Sequence, residues 1–202
     1  MWDLSSRLAE LTIILPPILL ALTIHECAHG LIADRLGDPT ARLMGRLTLN
    51  PLPHLDPIGT LALIFFHFGW AKPVPVNASN FRNPLRDMMW VAVAGPGANL
   101  LLAAVSAFVL RLLVGMDLPI YFYKMLYWSV YINVILAIFN VVPIPPLDGS
   151  RVLVGLLPPK QALSYGRMEP YGFIILIVLI YTGIVGRVIS PAIAAVTNLL
   201  LG

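Results

Sequence analysis

The sequence predicts an α-helical polytopic membrane protein. It reads as one membrane-embedded domain over residues 1–202, with about six membrane segments (some short, re-entrant or broken) and a small interfacial β-hairpin. Three observations lead there. The 202 residues are 58% hydrophobic and only 11% charged, with a mean hydropathy of +0.85, whereas a soluble domain carries about 25% charged residues. Long apolar runs alternate with stretches rich in Pro, Gly, Asn and Arg. The cations are spread through those stretches, so a net charge of +3 reads as topology signals and headgroup contacts to the lipid bilayer, not as a nucleic-acid surface. A single cysteine, Cys27, excludes an internal disulfide.

The first apolar run, about Leu8 to Ala33, is long enough to cross a bilayer even if Pro16 and Pro17 bend it. It is too long for a cleavable signal peptide, and none is expected. From Asp34 to Pro57 the composition turns to loop residues, and Ala41 to Leu49 alternates loosely around Gly45, which suggests the hairpin. Ile58 to Trp70 is apolar but too short to span, so a re-entrant segment is expected, followed by an extended interfacial loop from Lys72 to Asn83. Further spans are expected over about Met88 to Val114 and Tyr121 to Val142, the first carrying Gly95-Pro96-Gly97-Ala98-Asn99. Small residues there let helices approach closely, and Asn99 needs a hydrogen-bond partner in an apolar setting. Pro143, Pro145 and Pro146 force extended backbone before Asp148, which opens a short helix over Ser150 to Leu157. The last apolar stretch, Tyr171 to Leu200, is interrupted by Gly183, Gly186, Arg187 and Pro191, so it is one broken helix or two pieces.

One helical turn carries the chemistry. His25-Glu26-Cys27-Ala28-His29 places two imidazoles four residues apart on one helix face, where both reach a single metal ion. Zinc (Zn2+) accepts neutral imidazole nitrogen, and a catalytic site keeps three protein ligands and one open position. Glu26, one residue around the helix, is placed to act as catalytic base and then acid. A chance occurrence is disfavoured, because ionisable groups in a membrane-length apolar helix mark function by default. Cys27, at a variable position of the motif, reads as a packing residue. Candidates for a third ligand are Asp34, His54, Asp56, His67, Asp148 and Glu169. Asp148 has the best position, since it ends a span at the depth of His29 and a rigid proline run holds it.

Arg35, Arg42, Arg46, Lys72, Arg82, Arg86, Arg151, Lys160 and Arg167 fall on one side of these spans, against Arg7, Arg111, Lys124 and Arg187 on the other. The positive-inside rule puts the first set, and with it the metal motif, toward the cytoplasm.

These stretches together resemble the site-2 proteases, intramembrane zinc metallopeptidases. The matching segments are His25 to Gly30, Asp56 to Thr60, Gly69 to Asn77, Gly95 to Asn99 and Asn140 to Gly149, in the family's order. The resemblance implies that His25, His29 and Asp148 bind zinc, that Glu26 is the catalytic residue and that Asn140 helps hold substrate or the developing oxyanion. It implies substrates that are membrane proteins with a single transmembrane helix, a multi-pass location in a bacterial or archaeal cell membrane, and a compact form without PDZ or CBS domains. An unwound substrate would need backbone partners, and the 41–49 hairpin is expected to supply a strand edge. Two other classes are weighed against this reading. A membrane metal transporter has no need of Glu26 as a base and often shows internal repeats, of which none is evident here. A non-catalytic scaffold for transmembrane helices would be expected to have lost a ligand or Glu26, and none is missing.

Overall fold

The computed structural model describes residues 4–66 and 69–202, and those residues are almost entirely helical. The first apolar run forms α1, Leu4–Arg35, continuous through Pro16 and Pro17. Its end is set by Gly37, whose φ of +112° is costly for any residue with a Cβ and turns the chain out of the helix. The amide of Asp38 closes this turn on the Ala33 carbonyl at 2.9 Å.

The expected hairpin over 41–49 is absent. Thr40–Leu43 is a short helix, α2, and the amides of Met44, Gly45 and Arg46 turn back to the carbonyls of Thr40, Arg42 and Ala41. The groups a strand pair would share are thus spent locally. The loose alternation misled because burial there does not alternate: Ala41 and Arg46 are buried, and residues 42–45 between them are exposed. The strand edge for substrate expected at that hairpin goes with it. Among the described residues the one ladder contact is an isolated antiparallel bridge between Leu55 and Ala71.

That bridge closes an out-and-back loop. Asp56 Oδ1 accepts from the Gly59 amide at 2.8 Å and so opens α3, Pro57–Phe66. At ten residues α3 is about 15 Å long, half a bilayer core. The chain is back against its own start by Trp70, whose carbonyl lies where a Cβ on Gly59 would sit. From Gly69 to Asn77 the backbone runs outside any helix or named strand, as a strap across the end of α1.

Asp38 secures the strap. Although buried, its carboxylate accepts from the Asn77 amide at 2.7 Å, the Asn80 side chain at 2.6 Å, and the amide and hydroxyl of Thr40. Burial raises its pKa, but the four hydrogen bonds outweigh it and leave the group below the usual carboxylate value. A depressed folded-state pKa stabilises the fold above the unfolded value of about 3.9, and that contribution is lost as pH falls through the folded value. Thermal melts of wild type should therefore drop on acidification below about pH 4, with Asp38→Asn lower at neutral pH and flatter across that range.

Two long helices form the centre. α4, Pro84–Leu113, and α5, Ile120–Val141, pack against each other: Ala103 and Ala107 meet Val130 and Val134, and Asn99 pairs with Asn133 and Ser106 with Ser129. Three- and four-residue spacing keeps each set on one helix face. The pairs Asn99–Asn133 and Ser106–Ser129 show that α4 and α5 run antiparallel. His25–Asn99 and His29–Val91 show the same for α1 and α4.

After the proline run, α6 (Asp148–Leu156) packs on α4, and α7 (Pro159–Gly166) follows. The last apolar stretch resolves as two helices, α8 (Glu169–Tyr181) and α9 (Ile184–Leu201), broken at Gly183 with φ +74°. α9 ends beside the end of α4, where Arg111 donates to the Leu200 carbonyl at 2.9 Å.

Four helices among the described residues are long and apolar enough to cross a membrane, or five if α7 and α8, bent by 65°, count as one span. The expected count of about six membrane segments included short, re-entrant and broken ones, and these spanning helices alone do not confirm it; α3 is too short to cross by itself. Outward faces carry Leu101, Phe108, Ile174 and Val188, each over 60% exposed, which suits lipid and not water. The chain is a multi-pass membrane protein.

Candidate metal centre

His25 and His29 face α4 from one side of α1, with ring centroids 4.6 Å apart and planes nearly perpendicular. Both are buried. Each ring is held at Nδ1: His25 by the Asn99 side-chain oxygen at 2.5 Å, and His29 by the Val91 carbonyl at 2.7 Å. A carbonyl oxygen only accepts, so each Nδ1 carries the proton and each Nε2 keeps its lone pair. Those two lone pairs meet Asp148 Oδ2 at 3.1 and 3.3 Å.

Asp148 reaches this point because α6 begins hard against the end of α5. A Cβ on Gly149 would overlap the carbonyls of Val141 and Val142, so only glycine lets the helix start here.

Three acceptors converging with no proton between them repel one another unless a cation sits among them. Asp148 Oδ2 is buried and has no hydrogen-bond partner, a costly state for a carboxylate oxygen in a neutral surrounding. One ligand atom from each of the three residues lies within 4.8 Å of the others. Tetrahedral bonds of about 2.0–2.1 Å imply edges of roughly 3.3 Å, close to the two distances observed. The donor set fits a zinc-type ion: two neutral imidazoles and one carboxylate, with room left for a fourth ligand.

Room exists because of Gly95. A Cβ there would overlap His29 Nε2 and stand 2.7 Å from His25 Cε1. Sequence reasoning placed Gly95 in a helix-packing stretch and missed that its missing side chain makes way for the two histidines.

Glu26 lines the same cavity, of about 600 Å³, and its Oε2 accepts from the Val74 amide of the strap at 2.8 Å. Asn140, at the end of α5, also lines it, with Nδ2 donating to the Leu136 carbonyl at 2.9 Å. Across the cavity Trp70 meets Phe173 of α8 edge to face, at 6.2 Å between centroids.

The other third-ligand candidates lie elsewhere. Asp34 pairs with Arg42 at 2.9 Å, Asp56 caps α3, and Glu169 lines a second, smaller cavity beside Arg151. His54 is fully buried, with Nε2 on the Thr48 carbonyl at 3.0 Å. His67 lies outside the described residues. Asn77 and Asn80 are tied to Asp38 and do not line the cavity.

Comparison with known proteins identifies the family. Residues 116–182 match the model of Peptidase family M50. The chain is also 41% identical over 184 residues to “Putative zinc metalloprotease YwhC” of Bacillus subtilis, covering 88% of this chain and 84% of that one. The chain belongs to peptidase family M50, the site-2 protease family. As an M50 member it is a metallopeptidase. It is also 31% identical over 179 residues to “Putative zinc metalloprotease Rip2” of Mycolicibacterium smegmatis, covering 84% of this chain and 66% of that one. The Mycobacterium tuberculosis H37Rv protein of the same name is 28% identical over 169 residues, with 80% of this chain and 63% of that one covered. No solved structure matches the chain.

Proposed function

We propose that this M50 peptidase is one domain that hydrolyses peptide bonds within or near the transmembrane segment of single-span membrane proteins, at a zinc centre held by His25, His29 and Asp148. The observation that carries this reading is the depth of the centre. His29 and His25 lie six and ten residues before the end of α1, roughly 9 and 15 Å along the helix. This supports a metal position within the candidate span Glu10–Arg35, at a depth where an intact transmembrane substrate can be reached.

Zinc, when bound, supplies a Lewis acid that polarises a carbonyl and makes water a better nucleophile. Glu26 accepts a proton from the attacking water as its oxygen bonds the scissile carbonyl carbon. It then gives that proton to the nitrogen as the C–N bond breaks, leaving an amine and a carboxylic acid, which passes its proton to the amine. The Val74 amide holds Glu26 at one oxygen, leaving the other for this transfer. Asn140 keeps one N–H and its oxygen for the cavity, where the N–H can donate to the carbonyl oxygen on which charge develops.

The cation distribution supports a cytoplasmic site, with the α2, strap and α6–α7 end facing inward, and the bacterial relatives support a bacterial or archaeal cell membrane. A metal transporter or a non-catalytic scaffold gains nothing from a hydrogen-bonded carboxylate beside the metal position, so both readings rank below.

The test is product mapping. Purified protein in detergent, given a tagged single-span substrate, should yield fragments whose masses place the cut within or just outside the apolar segment. Cuts confined to the water-soluble tails would overturn the intramembrane assignment.

A further inference from the structure

His29 and His25 are oriented by different means. His29 leans on a backbone carbonyl, which no substitution removes. His25 leans on the side chain of Asn99, fully buried on α4. A carboxamide can turn over and present its NH2 instead, which would force His25 into the other tautomer and put a proton where the metal ligand's lone pair must be. What prevents this is visible around Asn99. Its Nδ2 lies 3.1 Å from the Ala21 carbonyl of α1 and 2.7 Å from Oδ1 of Asn133 on α5. Two acceptors at one end fix that end as the NH2. Asn133, also fully buried, is fixed the same way, since its Nδ2 donates to the Ser129 carbonyl at 2.8 Å. The hydrogen bonds therefore run in one direction through three helices, from His25 to Asn99, and with Asn99 and Asn133 each donating onward.

We infer that Asn99 is a positioning residue for the metal centre: it sets the Nδ1–H tautomer of His25 and so keeps Nε2 free to bind the ion. This rests on the reading of His25 as a metal ligand. The Ala21 carbonyl orients Asn99 directly, and Asn133 completes its partners. Groups that hydrogen-bond the far nitrogen of a ligating histidine typically tune metal affinity by about 10–100-fold.

Asn99→Ala and Asn133→Ala separate a positioning role from a structural one. Each removes buried hydrogen bonds between α4 and α5, but only the first touches His25. Zinc affinity, measured by chelator competition on folded protein, should fall about 10–100-fold in Asn99→Ala and stay close to wild type in Asn133→Ala. Nitrogen NMR of His-labelled, zinc-free protein at alkaline pH should find His25 as the Nδ1–H tautomer in wild type and Asn133→Ala. In Asn99→Ala it should shift toward Nε2–H. Equal affinity in Asn99→Ala and wild type would overturn the inference, as would equal losses in the two variants. Should Asn99→Ala fail to fold, the wild-type spectrum decides: Nδ1–H supports the role and Nε2–H ends it. Wild-type protein that binds no zinc would instead sink the metal reading beneath it.

Discussion

Gly95→Ala should give a folded, membrane-inserted protein that has lost its zinc. The new methyl group would overlap His29 Nε2 and press on the His25 ring. Retreat from α4 would break the hydrogen bonds by which Asn99 and Val91, one turn to either side of Gly95, hold the two rings. A displacement of about 1 Å at reacting groups can cost 10²-fold in rate, so peptidase activity should fall by about 100-fold or more. Gly97→Ala is the control on the same helix. Its Cβ would meet nothing within 4 Å, and zinc content and activity should match wild type. If Gly95→Ala kept full zinc, the ion would have to sit away from the gap between α1 and α4.

Asp148→Ala should remove the third ligand without touching α1. Ligand binding to the native state alone adds RT ln(1 + [L]/Kd), about 2.7 kcal/mol when free zinc exceeds Kd a hundredfold. Wild-type melting temperature should therefore rise on adding zinc to the metal-free protein, and that rise should vanish in Asp148→Ala. The variant's own zinc-free stability should not fall in step, since Oδ2 makes no hydrogen bond for the substitution to remove. A wild-type thermal shift in Asp148→Ala would place the third ligand on another residue.

The parts of this protein that follow from local composition were legible in the sequence. Spans α1, α4 and α5 lie close to the expected runs, since a bilayer demands that length of apolar helix. His25, Glu26 and His29 could be grouped because helical spacing alone puts them together. Asp148 could be nominated because three prolines pin its approach. The geometry brings it to the histidines from 119 residues away. What failed or was missed depends on tertiary contacts. The hairpin was inferred from weak alternation around Gly45, but Ala41 finds a buried place under a helical turn instead. Gly95 carried a signal, a glycine in a small-residue stretch, yet only its neighbours across the helix interface tell what it makes room for. Asn133 was overlooked, though one carboxamide in the apolar run of α5 is the kind of residue that must find a partner. The Val74 amide leaves no mark in sequence at all, because any residue but proline supplies it.

The most direct test of the account compares wild type with Glu26→Gln, reading cleavage of a single-span substrate and zinc content on the same preparations. Glutamine keeps the shape and the hydrogen bond from the Val74 amide but cannot take up the water proton. Both proteins should hold about one zinc per chain, and wild type alone should cleave. Equal cleavage by the two would remove Glu26 from the chemistry and contradict the assignment of this cavity as the peptidase centre.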